Sequence, residues 1–358
     1  MNSYMIRLDG LKLNTGSYSF IPKPIEKNLN IEGTIESPGS FHKLNSQLKK
    51  SNFEKMIGTL DYESLLRRPT IFILIPSTDM DFNLTQKKEY VEKIGMMSQN
   101  INNIAAVLSI AIWLIKDSNV TTSHFYHYNF FNGVVNKYFR NSINTTSSGA
   151  IESINLKPKE LNEAITIMYE IWEHFVIEEK NRKEIETKDN YETIYYEIEK
   201  SLSYEGKSFY RAFLLLQEAR MTGYLPSKIA KYCACLECLF AIKKDSSKNI
   251  KNITASYLYD QKIDVEEIRS VMSESYGVRS DHEHGSQIKY LASKKDDELT
   301  KLSKKIDNYL RLVLKKILNE NDEVQEILNY DNDVDSKMKA RQYFLIPARK
   351  MFPEDYKK

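Results

Sequence analysis

The sequence predicts a mostly α-helical protein, with a helical bundle in its C-terminal half and a helical, partly β N-terminal region. Three observations carry this. Beyond residue 150, apolar residues recur at three- and four-residue spacing in segment after segment. Helix breakers are few, with 12 Gly and 9 Pro in 358 residues. The alternation that marks strands is confined to the first part of the chain, up to about residue 84. A chain of this length has room for two domains.

Taken in order, Tyr4, Ile6 and Leu8 alternate with polar neighbours, and Pro69 to Pro76 (PTIFILIP) is a β-branched and aromatic run between prolines. Both read as short strands of a small sheet. From Thr85, a candidate N-cap, to about Asp117 the pattern is helical, polar at first and apolar all round later, as in a helix that enters an interior. Its most apolar run, Ile104 to Ile115, is well short of the roughly 20 residues of a membrane span. A core helix is expected, and no membrane partner. The aromatic run His124 to Phe131 reads as core, with base stacking as the alternative. Asn141 to Ala150 has the composition of a loop and sets the expected boundary. The division is then an N-terminal region 1–150, a helical domain 151–320 and a tail 321–358.

Pro158 suits a first helical position, followed by Leu161, Ile165, Met168, Trp172 and Phe175 on one face. A solvated helix end is expected over 178–189, then helices at 191–202 and 208–221. Pro226 opens a helix striped by Ile229, Cys233, Leu236 and Phe240. Asp264 and Glu267 have capping-box spacing before a helix over 265 to about 276, which leads into Gly277. A long helix over about 296–319 carries Leu299, Leu302, Ile306, Leu310, Val313 and Ile317. The tail carries the basic and apolar stretch KARQYFLIPARKMF, which is expected to dock on the body.

Composition excludes some functions and leaves others open. A net charge of +2 does not announce a polyanion partner. Three Cys, at 233, 235 and 238, make no disulfide framework. They read as small core hydrophobes, with zinc as the alternative. The start, MNSYMIRLDG, lacks the pattern of a signal peptide, so a cytoplasmic location is expected. Neither GxGxxG nor GxxxxGK[ST] occurs, and neither HExxH nor GxSxG.

The chemistry-bearing segment is SYGVRSDHEHGSQI, Ser275 to Ile288. Arg279 and His284 suit phosphodiester chemistry, since a guanidinium holds phosphate with forked donors and an imidazole exchanges protons near neutrality. Asp281, His282, Glu283 and His284 raise a metal site as an alternative. Such sites need three or four converging ligands, so neither metal nor cofactor is expected. Glu237, one turn from Cys233 and Phe240, is expected to be buried and therefore partnered. Its partner is either Arg279 or His284, or an unrelated Lys.

This string resembles the Arg-x4–6-His motif of HEPN domains, and in particular the Apea-like branch with Y-x-x-R-S-x-x-x-H-G. Tyr276, Arg279, Ser280, His284 and Gly285 stand at the matching positions. Upstream, KYCACLECLFAI resembles that branch's helix, with Leu236, Glu237 and Leu239 matching, and AIWLIKDSNV resembles a helix end in the N-terminal part of such proteins. The resemblance implies a HEPN-like bundle that pairs as a homodimer, bringing two Arg/His pairs into one cleft. It implies a metal-independent endoribonuclease acting on RNA in a toxin or phage-defence context, with a protein regulator or defence-complex partner. Arg279 and His284 would be catalytic, with Ser280, Glu237, Tyr276 and His282 in support. The toxin branch with a Tyr two residues after the His is not matched, because Ser286 stands there. The alternative is a non-catalytic HEPN interaction or ligand-sensing module.

Overall fold

The computed structural model describes residues 2–14, 16–21, 32–38, 40, 48–49, 51–75, 87–139, 143–174, 207–241, 245–289, 296–320, 324, 327–328 and 338–357. Thr85, Phe175 and the segments expected at 178–189 and 191–202 lie outside these residues. The chain divides into two units: 1–144 with 151–172, and 145–150 with 173–358.

The first unit is built on a six-stranded antiparallel sheet ordered β3-β4-β5-β1-β6-β7, from β1 Asn2–Asp9, β3 Ser17–Phe20, β4 Glu32–Glu36, β5 Thr70–Ile75, β6 Thr121–Asn129 and β7 Val135–Phe139. A second, two-stranded sheet pairs β2 Leu11–Leu13 in parallel with β8 Ile154–Leu156. The expectation of a mostly α protein is thereby overturned: the fold is mixed α/β, and the sheet organises its N-terminal part. Two strands stand where the sequence placed them, β1 over Tyr4 to Leu8 and β5 within Pro69 to Pro76. Strand β6 went unread because it is covered on both faces, so its sequence runs aromatic without the alternation of a half-exposed strand.

Met5, Phe72, Tyr126 and Tyr128 form one face with α1 Phe53–Ile57 and α2 Thr59–Leu66, which contribute Phe53, Ile57, Tyr62 and Leu65. Alternate residues Tyr4, Ile6, Ile71 and Ile73 form the opposite face and are also buried. The long helix α3 Lys87–Ile115 packs along β1 and β6. Its stretch Met97–Ile115 is long and apolar enough to cross a membrane by length and composition, yet two-thirds of it is buried inside the fold. Helix α4 Pro158–Glu173 clusters with this unit as far as Trp172, rather than with the C-terminal helices. There the Tyr169 hydroxyl accepts the Ile21 N–H at 2.8 Å.

In the second unit the helices are α5 Ser208–Met221, α6 Leu225–Phe240, α7 Ser246–Tyr257, α8 Val265–Glu283 and α9 Asp296–Leu318. Helix α6 touches α5, α8 and α9, so burial surrounds it: Ile229, Tyr232, Cys233, Cys235, Leu236, Leu239 and Phe240 are all inaccessible. Several polar groups in this interior are paired. Lys228 Nζ donates to Ala219 O at 2.7 Å. The Tyr232 hydroxyl donates to Asp307 at 2.8 Å, and Arg311 Nε reaches the other carboxylate oxygen at 2.9 Å.

The segment expected as a loop over Asn141 to Ala150 has no regular structure over its described residues 143–150, and its part 145–150 is built into this unit. Thr145, Thr146 and Ser147 are buried; Thr145 N–H donates to Arg220 O at 2.6 Å and Ser303 Oγ to Ser147 O at 2.6 Å. The tail docks as expected. A π-helical turn Arg341–Leu345 and the short helix α10 Ile346–Met351 place Phe344 against Phe240 and Tyr257, and Asp355 against Arg269 at 2.9 Å.

Candidate functional site

The expected break at Gly277 is absent. Helix α8 continues through it to Glu283, so Arg279 projects from helix rather than loop. A single Gly costs a helix only about 1 kcal/mol, which burial of Tyr276 and Val278 on either side offsets. The N-terminus is capped by Asp264, which accepts the Glu266 N–H at 3.1 Å. Glu267 pairs with Lys305 at 2.8 Å instead of completing the box.

The helix stops at the motif's glycine. Gly285 N–H donates to His282 O at 3.2 Å and Ser286 N–H to Asp281 O at 2.8 Å, with Gly285 at φ +63°. These two bonds and the left-handed glycine make a Schellman cap. His284 is consequently fixed at the C-cap, where its N–H donates to Ser280 O at 3.1 Å and its side chain is exposed.

Arg279 is held from two sides. Its Nη1 donates to Glu237 on α6, and its Nε donates to Glu283, one turn on, at 2.9 Å. Glu237 also accepts the Tyr276 hydroxyl at 3.0 Å, and the guanidinium lies 5.5 Å from the Tyr276 ring centre. Burial works against the charge on Arg279, but its hydrogen bonds to Glu237 and Glu283 outweigh it and raise its pKa above the ordinary range. Burial, reinforced by Cys233 and Glu237, pushes the Tyr276 phenol up, and burial likewise pushes up the Cys233 thiol. Glu237 is thus the partner of Arg279, one of the two arrangements its sequence position allowed.

The other expected residues are placed less tightly. Ser280 is exposed on α8. His282 packs edge-on against Tyr224 at 5.6 Å between ring centres. No described hydrogen bond, ion pair or ring contact joins Arg279 to His284. Five residues at 100° each set them ~140° apart around the helix axis. One participant was missed by sequence reading, Tyr224 beside His282. Glu283 on Arg279 was legible in their spacing of four, one helical turn.

Asp281, His282, Glu283 and His284 do not converge, and among the described residues no group of three or more His, Cys, Asp or Glu is placed to share an ion. Cys233 and Cys235 are buried, with Cys235 Sγ donating to Ala212 O at 3.2 Å.

A second polar cluster lies in the first unit. Asp9 accepts Arg7 at 2.9 Å, Arg68 at 3.0 Å and the Ser123 hydroxyl, which also meets His124 Nδ1 at 2.6 Å. A register shift between Arg7 and Asp9 turns Ser123 and His124 toward the same carboxylate. Of the rest of the aromatic run, Phe125 to Tyr128 are core, as expected, whereas Phe130 is only partly buried and Phe131 is exposed. Comparison with family models, with curated proteins and with solved structures gives no match.

Proposed function

We propose that this chain is a metal-independent endoribonuclease of the HEPN type, with Arg279 and His284 as its catalytic pair. The observation that carries the reading is one helix end that combines a braced guanidinium with an exposed imidazole. It adds to the resemblance of Tyr276 to Gly285 and of the Leu236–Glu237–Leu239 helix.

In this reading the ribose 2′-hydroxyl attacks the adjacent phosphorus and the 5′-oxygen leaves. The products are a 2′,3′-cyclic phosphate and a 5′-hydroxyl end. Imidazole at His284 takes the 2′-hydroxyl proton or supplies one to the leaving oxygen, a role worth about 10²–10⁴ in rate. Arg279 holds the scissile phosphate and the charge that builds on it. Because Arg279 and His284 diverge around one helix, a homodimer would let one copy's imidazole complete the other's guanidinium. We place this activity in the cytoplasm, in a toxin or phage-defence context under a protein regulator. The mostly buried apolar helix agrees with that location.

A specific observation favours a second reading, a non-catalytic HEPN interaction or sensing module. Arg279 already carries two carboxylates, as a structural ion pair would. The deciding experiment incubates wild type and His284→Ala with mixed RNA in EDTA and reads cleavage and end chemistry. Cutting by wild type alone, with cyclic-phosphate ends, supports the nuclease. No cutting by either favours the module, and equal cutting by both removes His284 from the site.

A further inference from the structure

The two carboxylates on Arg279 are held very differently. Glu237 is 19% exposed, rises from the central helix α6 and is fixed by a second donor, the Tyr276 hydroxyl. Glu283 is 49% exposed, ends α8 and meets the guanidinium through Nε at 2.9 Å. One guanidinium between two carboxylates leaves a local charge of −1, which repels any anion that approaches while both stay in place. A guanidinium edge that serves a carboxylate serves a phosphate equally well, because both accept the same forked donors.

We propose that Glu283 is a displaceable latch on Arg279. It occupies the edge that a phosphodiester must take, and an arriving phosphate exchanges with it while Glu237 keeps the guanidinium in position. The proposal rests on Arg279 being the phosphate-holding group. The exchange keeps the number of hydrogen bonds on Arg279 and restores the local charge to its starting value. It also leaves the helix end intact. The Schellman bonds run from Gly285 and Ser286 to the carbonyls of His282 and Asp281, so the Glu283 side chain swings into solvent without moving the His284 backbone. The latch therefore makes Arg279 answer to an anion and ignore neutral ligands, and it makes Glu237 the positioning residue.

The test is binding of a non-cleavable, all-2′-deoxy single-stranded oligonucleotide, followed by fluorescence anisotropy at fixed salt. Full-length wild type, Glu283→Gln, Asp281→Asn, Arg279→Ala and the Glu283→Gln/Arg279→Ala double variant are compared. Glu283→Gln is expected to tighten binding about three- to fivefold, the range of an exposed ion pair. Asp281→Asn makes the same charge change two residues away and should leave the affinity within about twofold, a general charge effect in an exposed, screened position. Arg279→Ala should cancel the gain. The latch is overturned if Glu283→Gln binds like wild type, if Asp281→Asn gains as much, or if the gain survives in the double variant. Cleavage of RNA by the same proteins separates the two ideas. An Arg279-dependent gain with no cutting by any variant keeps the latch and ends the nuclease. His284-dependent cutting with no gain in Glu283→Gln keeps the nuclease and ends the latch.

Discussion

Removing Glu237 tests whether the brace on Arg279 is a coupled unit. In Glu237→Ala the Tyr276 hydroxyl, on a residue only 8% exposed, loses its acceptor. A buried donor left unmet costs about 1–3 kcal/mol. Arg279 loses one of two carboxylates; with both partners about one-fifth exposed, the loss is discounted for solvent screening to about 1 kcal/mol. The expected total is about 2–4 kcal/mol of stability. Glu237→Gln keeps an acceptor oxygen for one of the two donors, so it should cost about half as much. Tyr276→Phe removes only the donor side, at about 1 kcal/mol. Because the two residues share one bond, the double variant Glu237→Ala/Tyr276→Phe should fall short of the sum by about 1 kcal/mol or more. Urea denaturation of the four proteins, followed by the helical signal, supplies the cycle. Additivity within about 0.5 kcal/mol, the scatter expected of independent sites, would refute the shared bond and with it the claim that Tyr276 helps to fix Glu237.

Other consequences are open to measurement. Burial lowers the pKa of His127 to about 4, with its ring nitrogens held by Asn2 at 3.0 Å and Asn136 at 3.1 Å. A folded pKa below the unfolded one means that its stabilising contribution is complete above about pH 6.5 and is lost as pH falls toward 4. At pH 5 the loss should be about 2 kcal/mol. His127→Gln should flatten the acid side of the first unit's stability profile, and an unchanged slope would count against a neutral buried ring. Gly285→Ala places a side chain at φ +63° where nothing crowds the added carbon, so it should cost about 1 kcal/mol of backbone strain alone. Thermal unfolding checks this, and a loss of several kcal/mol would mean the turn makes contacts beyond its cap. In the EDTA cleavage assay, His284→Ala should abolish cutting while leaving the unfolding curve unchanged, since the imidazole is exposed.

The helices of the second unit were legible in the sequence where one face is buried and the other wet. The apolar stripe of α9, the proline at the start of α6 and the bounds of α5 all follow from local spacing and local backbone chemistry. So did the candidate site as a set of residue types, and the likelihood that a carboxylate at Glu237 would need a partner. Tertiary structure decided the rest. The extent of the six-stranded sheet was hidden because β6 is buried on both faces, which erases alternation, and because its pairing with β1 joins residues more than 100 positions apart. The continuation of α8 through Gly277 depended on packing of Tyr276 and Val278, which outweighs the residue's own preference. Which partner Glu237 found, and that Arg279 would be clasped from two sides, depended on how α6 packs against α8. Local sequence sets what each segment can form and what each side chain can do. Which groups meet depends on the packing of distant segments, and that energy appears only once they are together.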